Sequence, residues 1–255
     1  MLFAGILIDS LMIDRLKKKW VARSLFLLVI AISVCSNLWP LGDPDFSKLI
    51  SWMEEYRNNT SSFLTADTIV LPVITKGNLV FVIFSIAILF VYLFIAVLYS
   101  RIFIGDKSEQ TLSSSILSYL KRLPGLIVFF LLLFIPALFL ARIAPVVLIV
   151  FVPALFLSPL LILFEKKNTL DAVTYSYRYT KGAKFSIFWD LLTLYFMYQA
   201  ATILLLSFMP EKSSAGILLD SFFTAYFVLA SGRLSGVFYD RLCLHPLPPV
   251  SNPMN

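Results

Sequence analysis

Residues 79–104 read LVFVIFSIAILFVYLFIAVLYSRIFI. The run carries no charge before Arg101 and exceeds the roughly 20 residues that an α-helix needs to cross the hydrocarbon core of a bilayer. A transmembrane β-barrel would instead be built from segments of about ten residues that alternate between apolar and polar, and this run does not alternate. It reads as a transmembrane helix.

Working outward, five further apolar runs cover roughly 21–39, 125–141, 146–164, 185–209 and 216–238. The whole chain is 59% hydrophobic and 14% charged, with 24 Phe. A soluble domain carries about a quarter charged residues. The expected fold class is therefore all-α: a polytopic membrane protein with six transmembrane helices, forming one integral membrane domain over residues 1–255.

Lys and Arg set the expected orientation. With the N-terminus inside, only Lys48, Arg57, Lys76, Arg142 and Lys212 of the 21 basic residues fall outside. The bias agrees at every loop and puts both termini in the cytoplasm. The net charge of +6 then reflects this rule and attraction to anionic lipid, and no nucleic-acid partner is expected. Cys35 and Cys243 fall on opposite sides and cannot pair. The stretch ISVCS, residues 32–36, loosely resembles a lipoprotein cleavage site, but Val34 stands where a small residue belongs, so the first span is kept as an anchor.

Between the spans lie shorter amphipathic stretches. In TLDAVTYSYRYTKG, residues 169–182, Asn168 can cap a helix, Asp171 sits in its first turn, and Lys181-Gly182 closes it. Leu170, Val173 and Tyr177 recur at helical spacing, with Arg178 and Lys181 on other faces. Residues 111–124, TLSSSILSYLKRLP, set Leu112, Ile116, Tyr119, Leu120 and Leu123 against Ser113, Ser114, Lys121 and Arg122. A third stretch, ILIDSLMIDRLKKKW at 6–20, opens the chain. Each is expected to lie in the inner interface with its basic residues against anionic lipid, and the Tyr side chains of 169–182 are expected at headgroup depth. The simplest description is three repeated units, each an interfacial helix followed by a helical hairpin.

Residues 40–76 form the sizeable external insert, in which Phe46, Leu49, Ile50, Met53 and Tyr56 suggest an amphipathic helix, followed by a short apolar stretch from Phe63 to Val73. Asn58-Asn59-Thr60 matches a glycosylation sequon, relevant only in a eukaryotic secretory pathway. Pro136 in the third run, and Pro145, Pro153 and Pro159 in the fourth, are expected to kink their helices. Residues 243–255 read as a Pro-rich cytoplasmic tail.

From Val152 to Trp189 the sequence is VPALFLSPLLILFEKKNTLDAVTYSYRYTKGAKFSIFW. A Pro-bearing span, an acidic residue, a Thr-Leu-Asp-Ala helix start, a mid-helix Ser, a Lys-Gly and an aromatic re-entry follow one another. This pattern resembles the six-helix membrane domain associated with some glycerophosphoryl diester phosphodiesterases, and related bacterial membrane proteins. The specific match covers about 40 residues, and the hydropathy layout extends it over most of the chain. The resemblance implies a bacterial plasma-membrane protein of accessory role. In that family the hydrolase is a separate fused domain, and its chemistry needs paired histidines and carboxylates around a metal. This chain has one His, His245.

Zinc spacings, phosphate loops and nucleophile elbows are absent from the sequence, so neither an enzyme nor a cofactor is expected. Gly232 and Gly236 form a GxxxG spacing suited to close helix packing. Asp190 and Arg233 lie at matching depth, about 8 Å from the inner boundary, and are expected to form a structural ion pair between the fifth and sixth spans. Asp220 lies near the outer surface, and Gln199 is the most central polar side chain. The functional expectation is a non-enzymatic accessory or scaffold protein that binds lipids or membrane partners, the latter another protein or a second copy of the chain. The alternative is a transporter or lipid-handling permease; a membrane-embedded enzyme ranks behind both.

Overall fold

Side chains at helix starts fix where several elements begin. Thr75 and Asn78 form a reciprocal capping box, Asn168 accepts from the Asp171 amide at 2.9 Å, and Ser213 accepts from the Gly216 amide. The computed structural model describes residues 2–58, 74–143, 151–209 and 213–245, and its main elements are all helices. In chain order these are α1 (Leu2–Leu11), α2 (Lys19–Leu38), α3 (Ser47–Asn58), α4 (Lys76–Lys107), α5 (Leu112–Ile143), α6 (Ser158–Phe164), α7 (Thr169–Tyr179), α8 (Lys184–Leu206) and α9 (Ser214–Tyr239). A π-helical turn, Asp240–Leu244, follows α9.

Five helices, namely α2, α4, α5, α8 and α9, contain segments long and apolar enough to cross a membrane, which points to a membrane-embedded protein. The fourth run differs from expectation. Its described part, Phe151–Phe164, is shorter than a span and is broken by a turn at 156–157. Pro159 starts α6 rather than kinking a longer helix. Leu160, Leu161, Ile162 and Leu163 are all buried in the core. Pro145, Thr60, the stretch Phe63–Val73 and the tail beyond His245 lie outside the described residues.

The helix α9 is the hub, packing against α4, α2, α8 and α1. Small residues make this approach feasible. Gly232 meets the backbone of Ala96 in α4, and Gly236 meets the Phe103 ring. The Ser100 hydroxyl bridges the Gly232 carbonyl at 2.5 Å and the Ser235 hydroxyl at 2.7 Å.

Two expected interfacial helices take other forms. Residues 6–20 do not make one helix: α1 ends at Leu11, the chain turns, and α2 starts at Lys19. Ile6 and Ser10 are buried as α1 packs against α9 and α8. Residues 112–123 are the first turns of the long α5, which runs through Pro124 and Pro136. Tyr119 is buried there and donates to the Phe94 carbonyl at 3.0 Å. Ser115, Tyr119 and Leu126 are buried, while Ile116 and Leu120 face outward. In a bilayer an exposed Leu costs nothing, so packing with α4 chooses the buried face. The three-unit repeat is not confirmed by this arrangement.

The short helix α7 does form between Asn168 and Gly182, whose φ of +86° suits glycine at a helix end. Its buried face is Ala172 and Ser176 rather than Leu170, Val173 and Tyr177. Ser176 donates to the Ala154 carbonyl at 2.7 Å and accepts from the Leu157 amide, satisfying the turn before α6. The amphipathic helix in the insert is α3. At its start the Ser47 amide donates to Asp45, which holds that carboxyl below the usual range.

Candidate functional site

Polar side chains inside apolar helices converge where they can hydrogen-bond or bind. Ser33, Ser36 and Asn37 recur at i, i+3 and i+4 near the end of α2, so they share one face. Asp220, Thr224 and Phe227, at i, i+4 and i+7, share one face of α9. These two faces, with one side of α4 and Tyr198 of α8, line a cleft of about 560 Å³. Along α4 the lining runs from Phe81 to Ala96, a length of about 23 Å at the helical rise.

The two sides of the cleft differ in chemistry. On the polar side Asn37 lies against the Asp220 carboxylate. Tyr92 lies against Ser33 and Ser36 and within electrostatic reach of Asp220 and Tyr198. The Tyr198 and Thr224 hydroxyls are 3.4 Å apart. Ile88, Leu89, Leu93 and Phe84 form the apolar side. Ser85 and Leu89 are exposed, so the cleft opens sideways along α4. At its far end it stops at Ala96, Val228 and Ser231, where the Gly232–Ala96 contact and the Ser100 bridge join α4 to α9.

Arg233 lies one turn further and does not meet Asp190. Its side chain, 3% exposed, donates to the Asp9 carboxylate at 2.9 Å, the Asp9 carbonyl at 2.6 Å and the Arg15 carbonyl at 3.2 Å. Its guanidinium also sits 4.7 Å from the Phe103 ring centre. Tyr226 donates to the Leu11 carbonyl and Tyr99 to the Ile13 carbonyl, each at 2.6 Å. Carbonyls at the end of α1 and in the turn after it therefore receive donors from α9 and α4. A cation beside a helix C-terminus is also favoured by the helix dipole. Asp190 is buried, makes no ion pair among the described residues, and has one carboxylate oxygen without a hydrogen-bond partner. The expected pair fails because α1, read as a surface helix, occupies the position beside Arg233.

Arg101 is a second buried cation, 5% exposed. It donates to the Ser118 hydroxyl and the Gln110 amide oxygen and lies 4.3 Å from the Phe164 ring centre.

On α7, Tyr177 is 57% exposed with the Lys184 ammonium 3.4 Å from its ring centre, and Arg178 and Lys167 approach the Tyr175 ring. Lys121 and Lys181 are exposed and Arg122 is half-buried. Gln199 receives no central role, since its amide donates to Tyr195 on the same helix. Among the described residues no cluster of His, Cys, Asp or Glu is placed to hold a metal ion. Compared with family models, curated proteins and solved structures, the chain matches none of them.

Proposed function

We propose that this chain is a non-enzymatic membrane protein that holds a small amphipathic molecule of the bilayer in the cleft between α2, α4, α8 and α9. In this reading it serves as an accessory or scaffold component for partners in the same membrane. The observation that carries the reading is the sideways opening of a cleft whose inner wall is polar. A molecule entering between α4 and its surroundings would keep its apolar part toward lipid and turn its polar part to Ser33, Asn37 and Asp220. The volume of about 560 Å³ falls within the range of ligand pockets.

A cleft-blocking variant tests this. Protein purified in mild detergent is extracted, and retained small molecules are quantified by mass spectrometry. The unaltered protein should retain a species near one per chain, and Ser85→Trp should lose most of it without a fall in melting temperature. Equal retention by both, or none by either, refutes the reading.

The topology belongs to the same proposal: six spans, with the fourth drawn from residues 146–164, both termini cytoplasmic, and α3 outside. Its support is the distribution of basic residues. The basic and aromatic surface of α7 then faces anionic lipid. The resemblance of residues 152–189 supports a bacterial plasma membrane. Single cysteines at the exposed positions Ser51 and Ser114, in a cysteine-free background, check the orientation. An impermeant reagent on intact cells should label Ser51 alone; labelling of Ser114 reverses it.

A permease reading draws on one feature, the closed end of the cleft beyond Ala96, since access from one side only is what alternating access requires. Uptake of a cleft ligand into sealed vesicles separates the two readings. Accumulation abolished by Ser85→Trp makes the protein a carrier, and binding without accumulation leaves it an accessory.

A further inference from the structure

We propose that the cleft selects an organic ammonium ion with apolar substituents, held by the Asp220 carboxylate and the aromatic faces around it. The inference rests on the cleft being a binding site at all and adds the chemistry of the ligand's head. Among the described residues lining the cleft, Asp220 is the sole carboxylate, and none of them is Lys or Arg. It makes no ion pair among the described residues; its one neighbour of note is the neutral amide of Asn37. Asp220 lies in the second turn of α9, near the outer end of the span, and carboxylates within transmembrane helices are commonly paired or functional.

The surroundings supply the rest. Tyr92 lies within electrostatic reach of Asp220, the Tyr198 hydroxyl is 3.4 Å from that of Thr224 one turn along α9, and Phe84 and Phe227 line the same space. Aromatic rings present a negative face to a cation, and rings around an ammonium group are a recurrent way of holding quaternary amines. An inorganic cation would find a single carboxylate among neutral hydroxyls and an amide, and would leave the apolar side unused. An anionic head would meet Asp220 with no basic residue among the described lining to offset it. A protonated or quaternary amine with an alkyl or aryl body satisfies both sides. The volume suits a single small organic ion better than a whole two-chain lipid.

The test uses full-length protein in nanodiscs and two radiolabelled probes. One is hexyltrimethylammonium; the other is its neutral isostere, in which carbon replaces the nitrogen. The unaltered protein should bind the cation at least tenfold more tightly than the isostere. Asp220→Asn should erase that preference, and Asp220→Glu should retain part of it. Should Asp220→Asn fail to fold, Tyr198→Leu serves: it should weaken the cation several-fold and leave the isostere unchanged. Equal binding of both probes, lost in Ser85→Trp, overturns this inference while the cleft remains an amphiphile site. Absence of binding by either probe overturns this inference as well. A cation preference that survives both Asp220→Asn and Tyr198→Leu places the selectivity elsewhere and refutes the assignment. A further arm adds a choline-headed lipid as competitor. Displacement of the probe identifies a membrane lipid as the source, and no displacement identifies a free organic cation.

Discussion

Arg233→Met should destabilise the protein by about 3–5 kcal/mol and release its N-terminal helix. Removing one member of a buried charge pair costs that much because the remaining polar groups keep their burial and lose their partner. Here the side chain serves three acceptors at once: the Asp9 carboxylate, the Asp9 carbonyl and the Arg15 carbonyl. Met matches the length and apolar stem of Arg but donates nothing. Asp9→Asn should cost less, about 1–2 kcal/mol, on the scale of one hydrogen bond to a charged group. The Asp9 side chain is 33% exposed, and Arg233 keeps its two carbonyls and the Phe103 face. Thermal unfolding in mild detergent measures both. A double-mutant cycle of Arg233→Met with Asp9→Asn should show coupling above about 0.5 kcal/mol, whereas Arg233→Met with Asp190→Asn should be additive within that limit. Trypsin supplies an independent readout, because the turn between α1 and α2 holds Arg15, Lys17 and Lys18. Cleavage there should accelerate at least tenfold in Arg233→Met. Coupling to Asp190 and not to Asp9 would invalidate the assignment of the clamp.

The same clamp shows where the sequence stops being legible. Spans are read from one-dimensional hydropathy, because a bilayer imposes a length and a polarity on each helix separately. Hence α2, α4, α8 and α9 begin and end within a few residues of the runs that announced them. Partners are a different matter. The depth rule matched Arg233 to Asp190 because both sit about five residues inside a boundary, and depth alone cannot tell which helix stands beside which. A short apolar helix, α1, fills the place, and nothing in ILIDSL distinguishes an interfacial helix from one wedged against the bundle.

Which face of these helices meets the protein was not legible for a related reason. In water the apolar face of an amphipathic helix is the buried one, but toward lipid an apolar face costs little. On α5 and α7 the small or hydrogen-bonding residues Ser115, Ala172 and Ser176 turn inward, and Leu120 and Leu170 turn outward. The i, i+3, i+4 spacing of Ser33, Ser36 and Asn37 was the one local sign of the cleft. It became meaningful only once the Asp220 face of α9 stood opposite.

Gly232→Ala is expected to be destabilising by about 2–3 kcal/mol, against the usual sign for this substitution in a helix. In an exposed helix interior, replacing Gly with Ala gains about 1 kcal/mol from propensity alone. At this crossing the added methyl collides with the Ala96 carbonyl oxygen and comes within 3.1 Å of that residue's Cα and carbonyl carbon. These are backbone atoms of a neighbouring helix, so no side-chain rotation can relieve the contact. Either α4 and α9 separate or both helices bend, and overpacking of this kind costs about 1–3 kcal/mol or more. Separation would also break the bond from Ser100 to the Gly232 carbonyl. Gly236→Ala supplies the comparison. Its new methyl would lie 2.7 Å from a Phe103 ring carbon, a side chain rather than a backbone. Phe103 carries the Arg233 and Lys107 cations over its ring, so it moves at some cost, but it can move. The expected order of melting temperatures is therefore unaltered protein, Gly236→Ala, then Gly232→Ala. Since Ala96 also ends the cleft, the crossing and the binding site share an atom group. Gly232→Ala should thus weaken ligand retention even at temperatures where it stays folded, and Gly236→Ala should leave retention intact. Melting temperatures in the reverse order would mean that α9 meets α4 through some other pair of residues.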